Sequence, residues 1–141
     1  MQALETAIEE IVKVLKSVDG LRQVPINPPE TMNVETFAVV YPLSGSIDIG
    51  PVGTRKSLHV IAIDVLTVRI DLARDIARMK PFIDTVANAL MKEVSTGGDM
   101  FTNSVETFSK LSYSWIATDY AGVSVVGYHF MMEDTKIQVN L

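Results

Sequence analysis

The sequence predicts an α+β domain: a mostly antiparallel β-sheet with an N-terminal helix and a central kinked helix packed on one face. Three observations carry that expectation. Helical and strand periodicities alternate along the chain as α-β-(loop)-β-α-β-β, an order that suits an antiparallel or mixed sheet with helices on one side. The run Ser57 to Arg69 is β-type and apolar on both of its sides. A helical pattern from Asp71 to Val94 is interrupted by Pro81, which either bends a helix or starts a new one.

Length and composition fit one folding unit. The 141 residues form a single expected domain, 1–141, with a long loop at about 43–57. Such a chain buries roughly 70% of the surface it exposes when unfolded. Hydrophobic residues make up 48% and charged ones 21%, with mean hydropathy +0.25, which is apolar for a water-exposed monomer. No apolar run approaches the roughly 20 residues of a membrane span, and Met1-Gln-Ala-Leu-Glu-Thr6 lacks the basic-then-apolar pattern of a signal peptide. There is no cysteine, hence no disulfide framework and no thiolate metal site. The net charge of −5 argues against a general nucleic-acid-binding surface, which needs clustered Lys and Arg. An acidic wall suits a conduit for a duplex better than a binder of one.

The elements follow in order. Leu4, Ile8, Ile11, Leu15 and Val18 recur at helical spacing, so 3–18 is an amphipathic helix, with Gly20 as its stop. A short β candidate at Leu21 to Val24 runs into Pro25, Pro28 and Pro29, which make the next stretch an edge or a loop. Thr36 to Tyr41 is rich in β-branched and aromatic residues and reads as a strand. Leu43 to Ser57, with three glycines and a proline, reads as a long loop or a hairpin extension. In the central strand, His59, Ile61, Ile63, Val65 and Thr67 alternate with Leu58, Val60, Ala62, Asp64, Leu66 and Val68. With both helices on one side, the second apolar face is expected to meet another subunit. Asp71 is a good N-cap for a short helix 72–79. A longer helix, 81–95, carries Phe82, Ile83, Val86, Ala87, Leu90 and Val94 as its buried stripe. Ser104 to Thr118 and Val123 to Met132 are strands, and a short β-like segment ends the chain at 137–141.

No catalytic motif is present, and no cofactor is expected. His59 and His129 lie in the most apolar strands, but their nearest acids are badly placed for a metal. Asp64 projects from the face opposite His59, and Glu133 lies about 13 Å along the strand from His129. Core or interface histidines are the simpler reading. Asp64, a carboxylate on an apolar face, needs a partner. Arg69, Arg74 or Arg78 could supply one, within the fold or across a subunit boundary. Gly50 to Ser57 resembles a phosphate loop only superficially, because Thr54 and Arg55 stand between Gly53 and Lys56 and Pro51 removes a donor. Arg55 and Lys56 are either a solvated pair or the foot of a contact loop. Tyr113, Trp115, Tyr120, Tyr128 and Phe130 have no Lys or Arg among them between Lys110 and Lys136, which favours packing over base stacking.

Taken together, the N-terminal helix, the proline-broken crossing, Phe37-Ala-Val-Val-Tyr-Pro42, a Gly-rich stretch, Leu58-His-Val-Ile-Ala-Ile-Asp-Val65, Asp71-Leu72 and Lys80-Pro-Phe-Ile-Asp84 before a helix form a pattern. Over roughly residues 3 to 132 it resembles the tail-terminator (minor tail) proteins of long-tailed bacteriophages, with tail-completion and head-closure proteins as sister families. The resemblance implies a non-enzymatic virion protein, assembled in the host cytoplasm into a hexameric ring at the head-proximal end of the tail tube. Such a ring ends tube polymerisation, meets the tube protein and the head–tail connector, and lets DNA through its pore without specific binding. Arg55, Lys56, Asp64 and Arg69 become the candidate contacts. A small oligomeric ligand-binding domain or enzyme using Asp64 and a histidine is the alternative.

Overall fold

A computed structural model describes residues 3–21, 36–49, 55–95, 105–120 and 122–137. Helix α1 (Ala3–Lys16) leads to β1 (Thr36–Ile49) and β2 (Arg55–Val68), then α2 (Leu72–Met79) and α3 (Pro81–Ser95), then β3 (Val105–Thr107), β4 (Lys110–Tyr120) and β5 (Val123–Ile137). The five strands form one antiparallel sheet in the order β1-β2-β5. The long β5 pairs along its outer side with β4 and, at its C-terminal end, with β3. The architecture is the expected α+β, with the helices on one face of an antiparallel sheet.

The helix-covered face holds the main core. Alternation along the strands brings Ala38 and Val40, Ile61, Ile63 and Val65, and Phe130 and Met132 to one side. There they meet Ile11, Leu15 and Val18 of α1, and Phe82, Val86 and Leu90 of α3. The stripe that spaces these residues every three or four positions is therefore what docks both helices. α1 ends at Lys16, two residues short of the expected 18, and Gly20 stands in the turn that follows, in the left-handed region at φ +91°, a conformation that costs glycine little. The α2–α3 bend falls where the residue types require it. The Asp71 side chain caps α2 by accepting from the Arg74 N–H at 2.9 Å, and Pro81 begins α3.

Two expectations change. The stretch at about 43–57, read as a long loop or a hairpin extension, takes the second form: it is strand at 43–49 and 55–57, and the two strands pair antiparallel. Pro42 is accommodated on an edge strand beside a register shift between Pro42 and Ser44, where its missing N–H interrupts no ladder. Residues 50–54 lie outside the described residues, as do the β candidate at 22–24 and most of the segment at 137–141. Second, the sheet face away from the helices is not left for another subunit. Phe37, Val39, Leu66 and Val125 are buried there within the chain, with Tyr41, Ile116, Tyr120 and Val123 packed around them. The physical reason is curl. The rings of Phe37 on β1 and Tyr120 on β4 meet edge to face at 5.8 Å, although two strands lie between theirs. Gly127 permits the close passage of β5 over β2. A Cβ there would sit 1.9 Å from the Val65 carbonyl oxygen, so any side chain would push the strands apart.

Candidate functional site

The second, curled face is apolar at one end and polar in the middle, and its polar centre is Asp64. Register puts Asp64 opposite His129 of β5 on one side and Val39 of β1 on the other. Tyr41, two residues past Val39, shares that face and reaches diagonally, donating its hydroxyl to Asp64 Oδ2 at 2.9 Å. The His129 ring turns towards β2 and places Nδ1 2.5 Å from Asp64 Oδ1. A carboxylate can only accept, so Nδ1 carries the hydrogen and Nε2 faces away from Asp64. Tyr120 approaches the same carboxylate from β4. Asp64 is 3% exposed, and donors from three other strands surround it, which is how a strand can bury an acid.

The electrostatics of the group are mutually consistent. Burial raises the Tyr41 phenol well above its ordinary value, and the hydrogen bond to Asp64 and the carboxylate's charge push the same way. Tyr120 is raised by burial first, then by the charge of Asp64 and its hydrogen bond. Both phenols thus stay protonated as donors throughout the neutral range. Chemically the arrangement can hold a histidine in one tautomer and orientation, as a carboxylate–imidazole pair does.

The predicted contact residues are not brought together. Asp64 takes histidine and tyrosine as its partners in place of the expected arginine, because the register sets His129 beside it and leaves Arg69 past the end of β2. Arg69 is exposed, and its backbone N–H donates to the Ser124 carbonyl at 3.1 Å. Arg55 and Lys56 lie in β2 opposite Ile49 and Asp48; their side chains are outside the described residues. His59 and His129 fall on different faces, His59 opposite Thr135 beside a register shift. Among the described residues no group of three His, Asp or Glu gathers as a metal site, and no helix is long and apolar enough to cross a membrane.

Two surface features stand out beside the internal cluster. β1 is buried from Thr36 to Val40 and exposed from Pro42 to Asp48, an exposed sheet edge, the arm, laid along a β2 that itself stays buried at Ser57 and His59 and paired with β5. Leu43 and Ile47 are exposed on it, as is Leu58 on the facing strand. At the opposite end of β2, Ile70 in the turn before α2 and Leu72 and Ile76 on α2 are exposed. The sequence leaves the first open between a loop and a hairpin extension and does not show the second. Prolines and glycines keep the loop reading alive for the arm, and the helical spacing of Leu72 and Ile76 gives no sign of which side is buried. A scan against family models finds no match for this chain, and a search of curated proteins finds no relative.

Proposed function

We propose that the chain is a structural virion protein, a tail terminator that assembles into a hexameric ring on the head-proximal end of a phage tail tube. The observation that carries the reading is the arm. A chain that buries both faces of its sheet internally still leaves seven consecutive residues of its edge strand β1, Pro42 to Asp48, exposed, with Leu43 and Ile47 among them. A monomer gains nothing by showing such side chains to water, whereas a ring subunit has a neighbour to receive them. The ring ends tube growth, docks the head–tail connector and passes DNA along an acidic wall, consistent with the net charge of −5. Catalysis has no place in this role, and the Asp64 group then serves to hold β1, β2, β4 and β5 in one curved register.

The test is direct. Native mass spectrometry of the purified protein, alone and with polymerising tube protein, is expected to show a six-subunit species and tubes capped at one end. A stable monomer that never associates with tube or connector contradicts it.

A second reading, a small ligand-binding domain or enzyme, is favoured by one observation: the Asp64–His129 pair at 2.5 Å. It requires a ligand-dependent thermal shift that Asp64→Asn abolishes, and the absence of any shift with metals or metabolites removes it.

A further inference from the structure

Asp64, His129 and Ser114 stand in one row across three neighbouring strands. Ser114 of β4 lies opposite His129 of β5, and His129 lies opposite Asp64 of β2, so all three side chains rise from the curled face. The pairing pattern fixes how they meet. The Arg69 N–H donates to the Ser124 carbonyl one step beyond the Val68–Val125 pair, which makes Arg69–Ser124 a hydrogen-bonded pair. Hydrogen-bonded and open pairs alternate along an antiparallel ladder. Asp64–His129, an odd number of steps away, is therefore an open pair, the kind whose side chains approach most closely. The backbone N–H and C=O of His129 then point the other way, to Ser114.

The imidazole is held between the two. Nδ1 lies 2.5 Å from Asp64 Oδ1 and carries the hydrogen, which leaves Nε2 as a lone pair on the β4 side of the ring. The His129 side chain keeps 18% of its surface open against 5% for Asp64, and Ser114 is exposed. A buried acid, a half-buried base and an open hydroxyl is the order in which a serine is activated. Nearby serines are already bonded: Ser112 donates to Glu133, Ser124 to Asp119 and Ser109 to Asp134. Among the described residues β4 is also an edge strand, paired with β5 alone. With the Ser114 N–H turned inwards to β5, the N–H groups of Tyr113 and Trp115 point off the sheet on either side of it, free to donate to an oxyanion.

We propose that Ser114 is a nucleophile for acyl transfer, with His129 as its general base and Asp64 as the residue that positions the imidazole. The row lies on an open face between the half-buried Ile116 and Met131, which fits a small ester with a short apolar acyl group. The serine oxygen attacks the carbonyl carbon and gives its proton to Nε2. The bond from that carbon to the alcohol oxygen breaks, and the alcohol leaves with the proton. Water then adds to the acyl-serine, passing a proton through Nε2 to the departing serine oxygen, and the carboxylic acid is released. This inference rests on the second reading above and names its chemistry; it does not depend on the ring.

The test is labelling of the full-length chain with a small fluorophosphonate, read by intact mass and peptide mapping. Attack on phosphorus expels fluoride and leaves a stable phosphonyl-serine. The expected result is a single label on Ser114 in the wild type, none in Ser114→Ala, and labelling slowed about 100-fold or more in His129→Gln. Nitrophenyl acetate should likewise turn over faster with wild type than with Ser114→Ala. Ser114 is exposed, so Ser114→Ala keeps the fold, which circular dichroism checks. Asp64→Asn should change the pH profile of labelling; a variant that loses stability with the profile unmoved assigns Asp64 to the fold alone and overturns its positioning role. A wild-type chain that takes no label overturns the proposal, as does a label that persists in Ser114→Ala. If the unlabelled chain still shows a ligand-dependent thermal shift that Asp64→Asn abolishes, the binding reading stands and the nucleophile alone is removed.

Discussion

Helices α2 and α3 are neighbours in the chain, separated by the Lys80–Pro81 bend, yet they place their apolar residues in opposite ways. α3 turns Phe82, Val86 and Leu90 into the core, where they close the sheet against α1. α2 buries an aspartate and one methionine and leaves Leu72 and Ile76 outside. Apolar area taken from water stabilises at about 25 cal/mol per Å² wherever it is buried. In α3 that gain is realised on folding, and in α2 it remains available for association. Amphipathic spacing therefore identifies a helix without saying which event buries its stripe.

The contrast can be broken by mutation, beginning with the largest effect. Leu90→Ala leaves a cavity beneath α3 and is expected to lower folding stability by about 2–5 kcal/mol, read from urea denaturation of the monomeric chain. A loss below about 1 kcal/mol would mean that α3 is not the helix holding the core. Asp64→Ala strips the acceptor from Tyr41, Tyr120 and His129 on the opposite face, and a loss of about 2–3 kcal/mol is expected. Asp64→Asn, which keeps one acceptor oxygen, should lose less. An alanine variant as stable as wild type would show that the polar centre contributes nothing to the curl.

Tyr41→Phe removes one of those donors, with an expected cost of about 1 kcal/mol. It also changes the pH dependence. A phenol whose folded-state value is raised contributes stability that is fully present below the unfolded value of about 10 and is lost as pH climbs through the folded value. Wild-type stability should therefore decline above about pH 10, and Tyr41→Phe should decline less steeply over the same range. Parallel curves would remove Tyr41 as a source of the dependence. The smallest folding effect belongs to α2: Leu72→Ser should change monomer stability by no more than about 0.5 kcal/mol while weakening self-association. A large folding loss there would erase the distinction between the two helices.

Local chemistry makes much of the fold legible. Asp71 as a cap and Pro81 as a start predict helices 72–79 and 81–95, and both are observed at those bounds. Alternation along Ser57 to Arg69 assigns Ile61, Ile63 and Val65 to one face and Leu66 to the other, as their two core clusters show. What depends on register is hidden. Asp64 and His129 are sixty-five residues apart in sequence, and nothing local aligns them; only the β2–β5 pairing does. Residue type alone groups His129 with His59 and suggests an arginine for Asp64, and the pairing overrides both. The arm is left undecided between loop and hairpin extension for a different reason. Pro42, Gly45 and Gly50 are loop-forming residues, but an edge strand tolerates the first two where its outer side makes no ladder. The burial of the second face is equally out of reach, because it depends on which strands the sheet brings within reach of each other, as the Phe37–Tyr120 contact shows.

The central claim is that apolar surface left over from folding, on the arm and on α2, is there to build a ring. Native mass spectrometry of the full chain across a concentration series tests it most directly. The account predicts one closed six-subunit species in the wild type and its loss to monomer in Leu72→Glu. A wild-type chain that remains monomeric at every concentration, with or without tube protein, would contradict it.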